Sequence, residues 1–235
     1  MNSMKKETLL TGLTTILVDT AIFYLYPPPI TEIAIGAGLA LWVLLVVFWL
    51  SKLVAQKTNK YISRKFIHFT TGGLVSLLIW YTWFTGKPLF TQPTVPVAAA
   101  FALGFLTLAY HLERKELTWF QVEKNLGEVW FCLTWGAIYL LFWHDIPTAS
   151  AATMFMAYGD GVTGVVRNYV YRKWTKGLWG SAAMFAVSLP IGLALKGIGG
   201  AIAAIAATLI ELWPKIDDNI TVPIISATTM YLVQL

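Results

Sequence analysis

The residues best suited to chemistry fall in three short clusters of an otherwise apolar chain. The most informative is Tyr158-Gly159-Asp160-Gly161-Val162-Thr163-Gly164. A carboxylate at the end of an apolar helical stretch costs several kcal/mol unless it is paired or metal-bound. Gly159, Gly161 and Gly164 around it would let a ligand approach the backbone and let amides turn toward phosphate. Arg167 follows within one to two turns, and then Arg172, Lys173 and Lys176. A metal-binding acid beside phosphate-neutralising bases suits nucleotide chemistry. A glycine-rich helix-packing seam ending in an interfacial loop would read the same way.

The second cluster is Arg64-Lys65-Phe66-Ile67-His68. Arg64 and His68 are four apart and share a helix face, which Thr71 and Gly72 continue. Arg64 suits bidentate phosphate binding, and His68 a hydrogen bond or proton relay. Snorkelling bases and a satisfied interhelical histidine are the plainer alternative. The third cluster runs from Glu211 through Pro214 and Lys215 to Asp217, Asp218 and Asn219. Its carboxylates and amide are hard oxygen ligands suited to Mg²⁺. Asp218 or Asn219 is also a natural N-cap for a last helix, so one residue can cap while another ligates. Glu128 opens a further helix, where the helix dipole alone would favour an acid. His111 and the Glu113-Arg114-Lys115-Glu116 run read as a solvated loop, and His144-Asp145 as structural.

The elements that position these clusters are set by composition. Of 235 residues, 57% are hydrophobic without counting 18 glycines, and 12% are charged. Soluble domains carry about 25% charged residues. A water-soluble enzyme with one buried core and a disordered chain are both excluded, and a polytopic all-α membrane protein is expected. Apolar spans cut at charged or proline-rich punctuation fall near 8–26, 31–54, 65–84, 93–112, 126–143, 147–168, 179–195, 198–213 and 219–235, about nine transmembrane helices in one membrane domain, 1–235. The seventh and eighth are short enough to form a hairpin. The first helix reads as retained and not as a signal peptide.

This division puts fifteen Lys and Arg on one side and only Lys87 and Lys196 on the other. The positive-inside rule makes the first side cytoplasmic, with the N-terminus inside and the C-terminus outside. All three clusters lie on that side, while Asp19 lies within the first span. An enzyme or receptor with one working face fits this distribution. A transporter would carry polar residues through the membrane depth and shows more often as an internal repeat, and none is seen. The single Cys132 excludes an intramolecular disulfide and a cysteine-based metal site. Several of the 11 Trp lie near the ends of these spans and fit an aromatic belt and not a base-stacking surface, so no nucleic-acid partner is expected.

Taken in order, Arg-Lys-x-x-His, Gly-Asp-Gly, a basic loop and Glu…Asp-Asp-Asn resemble the CTP-dependent polyprenol kinases. That group includes dolichol kinase, phytol kinase and CTP-dependent diacylglycerol kinase, and is related to the phosphatidate cytidylyltransferases. The resemblance covers about 60–225, the catalytic part, and leaves the two N-terminal helices of 1–55 outside. Arg64, Lys65 and His68 match the family's basic-histidine motif, Asn125-Leu126-Gly127-Glu128 its Gly-Glu helix start, and Gly159, Asp160 and Gly164 its CTP loop. Glu211, Asp217, Asp218 and Asn219 match its C-terminal acidic motif. Lys176, Gly180 and Ser181 match a Lys-(Ser/Thr)-x-Glu-Gly-Ser stretch in part, since Gly177 stands for the hydroxyl residue and Trp179 for the glutamate.

The resemblance implies transfer of the γ-phosphoryl of CTP to an isoprenoid alcohol of dolichol, polyprenol, geranylgeraniol or phytol type, with membrane lipids around it. Asp160, His68 and Lys176 would be catalytic. Arg64, Lys65, Gly159, Gly161, Gly164, Arg167, Ser181 and Asn219 would bind nucleotide. Asp160, Asp217, Asp218 and Glu211 would hold Mg²⁺, with Glu128 an additional site residue. The alternative reaction is cytidylyl transfer to a lipid phosphate. Either would work at the cytoplasmic face of the cell membrane or, in a eukaryote, of the endoplasmic reticulum.

Overall fold

A computed structural model describes residues 3–172, 175–213 and 215–233, with side chains from Lys6 onward. Lys173 of the basic loop and Pro214 of the acidic segment lie outside them. Every described element is helical. In chain order these are α1 (Ser3–Leu25), α2 (Ile30–Lys57), α3 (60–84), α4 (Thr94–Leu112), α5 (Gly127–Leu141), α6 (146–171), a long segment Leu178–Glu211, and a last helix Asp218–Leu232. Among the described residues, four stretches are long and apolar enough to cross a membrane: Lys6–Leu25, Ile30–Lys57, Thr94–Leu112 and Leu178–Glu211. The chain is therefore an all-helical membrane protein.

Local sequence sets where the helices begin and end. Pro27, Pro28 and Pro29 separate α1 from α2, since consecutive prolines remove the donors a helix needs. Asn59 caps α3 by accepting from the Ile62 amide at 3.0 Å. Asp145 caps α6 through Thr148, and Arg172 ends it in the left-handed region at φ 51°. The segment Leu178–Glu211 is broken at Gly197, with φ 56° and ψ −133°. A Cβ added at Gly192 would meet the Gly200 carbonyl oxygen at 2.3 Å. Positions eight apart in one straight helix would lie about 12 Å apart, so the chain folds back on itself. Its arms are α7 (178–196) and α8 (198–211), and Asp218–Leu232 is α9. The short seventh and eighth spans expected from sequence thus form a hairpin, and the helical segments fall close to the nine apolar runs.

The centre of the bundle is α6. Its first half is closed on all sides: Ala149, Ala151, Ala152, Phe155, Met156 and Ala157 have no exposed surface. Helices α3, α5, the α7–α8 hairpin and α9 all pack on it. Ala203, Ala204 and Ala207 of α8 are equally buried. Small side chains serve this purpose in lipid, where close packing and not water exclusion holds helices together. The periphery is different, because α1 packs on α4 and leaves Leu9, Leu10, Ile16 and Leu17 at least half exposed.

Three of the helices contain a wider π segment, at Val46–Leu50, Phe69–Gly73 and Phe155–Gly159. Such a turn frees carbonyls from the regular ladder. Indole donors take up several of them. Trp119 donates to Val47 at 3.0 Å, Trp42 to Thr70 at 2.8 Å, and Trp135 to Gly72 at 3.2 Å. In the third segment the Thr163 hydroxyl donates to the Gly159 carbonyl at 2.8 Å. Trp42, Trp119 and Trp135 thus hold helix irregularities.

The hairpin yields a sharp expectation. A Cβ at Gly200 would lie 2.0 Å from the Gly192 carbonyl oxygen, and backbone cannot give way cheaply. Gly200→Ala should lower thermal stability in detergent by about 1–3 kcal/mol, the range for overpacking. Gly199→Ala, whose Cβ would meet its neighbours no closer than 3.7 Å, should stay within about 0.5 kcal/mol of the parent. Equal melting of both variants would remove the backbone contact between the arms.

Candidate functional site

Residues from all three sequence clusters line one cavity of about 460 Å³. From α3 come Arg64 and Lys65, from α6 Asp160 and Arg167, from the following loop Lys176, and from the start of α9 Asp217, Asp218 and Asn219. These positions are up to about 155 residues apart in the chain. Tyr61, Asn125, Asn168, Thr175, Trp213, Lys215 and Ile216 complete the lining. Of these, Tyr61 and Asn168 carry no sequence signal beyond lying one helical turn before Lys65 and next to Arg167.

Most of the acids and bases here are paired one against another, with the predicted site residue Glu211 buried beside the cavity and not in its lining. Lys65 Nζ donates to Asp160 Oδ2 at 2.6 Å, with both side chains less than a tenth exposed. Arg167 grips the fully buried Glu211 with two parallel bonds of 2.5 and 2.8 Å. Lys176 Nζ lies 2.8 and 2.9 Å from the two oxygens of Asp218 and 3.0 Å from Glu211 Oε1. It also donates to the Glu211 carbonyl. Beneath the bases, one oxygen from each of Asp160, Glu211 and Asp218 lies within 4.8 Å of the others. Three hard oxygen donors so close fit a divalent cation such as Mg²⁺.

Asp218 shows the cost of this crowding. Burial first, then the charges of Asp160 and Glu211, push its carboxyl up to about 7, with Lys176 pulling the other way. Asp217 has a different place. Its Oδ1 caps α9, accepting from the Asn219 amide at 2.9 Å and from Asn219 Nδ2 at 2.7 Å. It lines the cavity but stands outside the three-carboxylate group. The cap is therefore Asp217 and not Asp218 or Asn219 as expected, because the helix starts one residue earlier, and Asp218 is the acid that joins the carboxylate group.

The glycines of Gly-Asp-Gly depart from expectation. Gly159, Gly161 and Gly164 lie inside the continuous helix α6, so their amides belong to a helix and not to a phosphate-facing turn. Their small size serves packing. A Cβ at Gly164 would meet Lys65 Cε at 2.4 Å and the Tyr61 hydroxyl at 2.6 Å, blocking the path of Lys65 to Asp160. Gly180 likewise clears the Arg167 guanidinium, which a Cβ would meet at 2.2 Å. None of the three motif glycines, nor Ser181, is in the cavity lining; the Ser181 hydroxyl is buried without a partner.

Glu128 lies behind the cavity and forms a support for Arg64. It accepts from Gln121 at 3.0 Å, pairs with His111 at 2.5 Å, and sits 3.9 Å from Arg64. Arg64 also donates to Asn125 Oδ1 at 3.0 Å. His111 is thus no part of a solvated loop; its side chain is 7% exposed and held by Glu128. A loop reading missed it because the partner acid lies 17 positions away on another helix. His68 is buried behind Lys65 and is not in the lining. Asp145 pairs with Lys196 at 3.0 Å, fifteen residues and roughly 22 Å up α6 from Asp160. The structural reading of Asp145 fits that arrangement.

No protein-family model, no curated protein and no solved structure matches the chain.

The raised Asp218 carboxyl has a measurable consequence. Its unfolded value is near 3.8 and its folded value about 7, so the folded protein holds the extra proton between them. The stabilising contribution is complete below about pH 4 and is lost as pH rises through about 7. Without divalent cations, thermal stability should fall between about pH 5 and pH 8, and Asp218→Asn should flatten that fall. Millimolar Mg²⁺ should raise the melting temperature more at the upper end of the window than at the lower. A Mg²⁺ effect that weakens as pH rises would oppose a shared carboxylate site.

Proposed function

We propose that the chain is an integral-membrane lipid kinase that transfers the γ-phosphoryl group of CTP to an isoprenoid alcohol. The observation that carries this reading is one cavity of about 460 Å³, lined by Asp160, Asp217, Asp218 and five bases from separate parts of the chain, with the buried Glu211 held against Asp160 and Asp218 beside it. That volume lies in the usual range for small-molecule sites. The motif order shared with CTP-dependent polyprenol kinases supplies the nucleotide and the class of acceptor.

Asp160, Glu211 and Asp218 would hold Mg²⁺, which supplies charge neutralisation on the phosphates when bound. The bases now resting on these acids are Lys65, Arg167 and Lys176. On nucleotide entry they exchange carboxylate for phosphate oxygen, so each cation keeps a partner throughout. Arg64, fixed by Asn125 and Glu128, offers a further guanidinium beside Lys65. Placing positive charge where phosphate charge accumulates is the main contribution a protein makes to phosphoryl transfer. The acceptor oxygen bonds to the γ-phosphorus while its bond to the β–γ bridging oxygen breaks. The hydroxyl proton leaves to a base, and CDP departs.

In the membrane, the nine helical segments act as nine spans with the N-terminus in the cytoplasm and the C-terminus outside, in the cell membrane or in the endoplasmic reticulum of a eukaryote. Support comes from the fifteen-to-two division of Lys and Arg and from the site lying at the basic ends of its helices.

Purified protein given labelled CTP and a panel of lipid alcohols and lipid phosphates should release CDP with an isoprenoid alcohol. Release of pyrophosphate with a lipid phosphate would replace the kinase with a cytidylyltransferase. Asp160→Asn should cut turnover by about 100-fold or more while leaving the fold intact. Near-parental turnover in that variant at saturating Mg²⁺ would take Asp160 out of the centre. Topology has its own test in a background lacking Cys132. Cysteines at positions 58 and 175 should react with an impermeant thiol reagent from the cytoplasmic side, and one at position 92 from outside. Labelling of 58 and 175 from opposite sides would break the nine-span arrangement.

A further inference from the structure

A second cavity, of about 290 Å³, lies among α2, α3, α4 and α5 and is walled almost wholly by apolar side chains. Leu44 of α2 and Leu106 of α4 line it and are 40% and 42% exposed, so it opens sideways on the surface that faces lipid. Its inner wall is the stacked face of α3 and α5, with Thr71, Gly72, Phe131 and Trp135. One helix face joins it to the charged cavity. Arg64 and Lys65 line the charged one, Thr71, Gly72 and Val75 line the apolar one, and His68 stands on the same face between them.

His68 is 1% exposed, and neither ring nitrogen has a partner. Its ring stacks on Phe131, a wall of the apolar cavity, at 4.1 Å between centroids. Buried polar groups are almost always hydrogen-bonded, and an exception asks for an explanation. A neutral imidazole offers one donor and one acceptor, the complement of a hydroxyl, which also has both. The nearby cations are already engaged: Lys65 by Asp160, and Arg64 by Asn125 and Glu128. An uncharged head group therefore suits the position better than an anionic one. The volume is at the low end for ligand sites and suits one hydrocarbon chain.

We propose that this apolar cavity takes up the chain of a single-chain lipid alcohol from the bilayer and presents its hydroxyl to His68, one helical turn from Lys65, the partner of Asp160. It rests on the phosphotransfer reading for the purpose of the hydroxyl, while the binding itself requires no nucleotide.

The test uses the full-length protein in lipid nanodiscs without nucleotide, and a hexadecanol probe carrying a mid-chain diazirine, with its methyl ether as the control. Crosslinks read by mass spectrometry should concentrate on cavity residues of α2, α4 and α5, and the alcohol should label severalfold more than the ether. His68→Phe keeps an aromatic ring for stacking on Phe131 and should abolish the preference for the alcohol. Ala100→Phe fills the cavity from α4 and should suppress crosslinking there for both probes. Crosslinks spread evenly over lipid-facing helices would overturn the proposal. So would equal labelling by alcohol and ether in the parent, or displacement of the probe by hexadecyl phosphate in preference to hexadecanol. Localised, alcohol-selective labelling in a protein that releases neither CDP nor pyrophosphate would uphold this site and remove the phosphotransfer reading. Turnover of lipid alcohol with scattered labelling would do the reverse.

Discussion

Three carboxylates that share a buried space a few ångströms wide must have positive charge built in beside them. Oxygens within 4.8 Å repel by roughly 3 kcal/mol per ionised pair at an effective dielectric of about 20. The chain meets this with one base on each acid: Lys65 on Asp160, Arg167 on Glu211, and Lys176 on Asp218 and Glu211. Much of the architecture follows from that pairing. Lys65 reaches Asp160 only across the bare backbone of Gly164, and Arg167 reaches Glu211 only past Gly180. Glu211 is delivered by the return arm of the α7–α8 hairpin, which exists because Gly192 and Gly200 allow backbone contact.

The same pairing would make the site responsive to the proposed nucleotide and metal. Taken singly, a buried ion pair adds little net stability, because desolvation offsets most of the attraction. A set of such pairs lining a cavity is different, since every member can be transferred to a new partner of the same sign. Phosphate offers the bases what carboxylate offers them now, and a divalent cation offers the acids what the bases offer. No charge need be left bare in a poorly solvated space during the exchange. Asp218, the most exposed of the three acids and the one pushed up to about 7, is the natural point at which it begins.

Charge placement along the chain made much of this legible beforehand. Runs of apolar residues cut by Lys and Arg located the helical segments, and the hairpin was visible in the shortness of the seventh and eighth. The gathering of Arg64, Lys65, Asp160, Arg167, Lys176 and Asp218 was likewise anticipated from their common side. Three things were not legible. The π segment at Phe69–Gly73 takes donors from outside its helix, Trp42 and Trp135, which only the folded arrangement supplies. The glycines around Asp160 look alike as a loop or as a packing seam, and helix continuity decides for packing. His111 has no local companion that marks it as buried, because Glu128 belongs to another helix.

The most direct measurement of the central claim is Mn²⁺ binding followed by electron paramagnetic resonance, with CTP observed by phosphorus resonance in the same sample. A shared site predicts one tightly held Mn²⁺ per chain, strong broadening of the CTP phosphorus signals, and loss of both in Asp160→Asn and in Asp218→Asn. Tight Mn²⁺ binding with CTP broadening that persists undiminished in both variants would contradict it, and would place the metal and the nucleotide away from the paired acids.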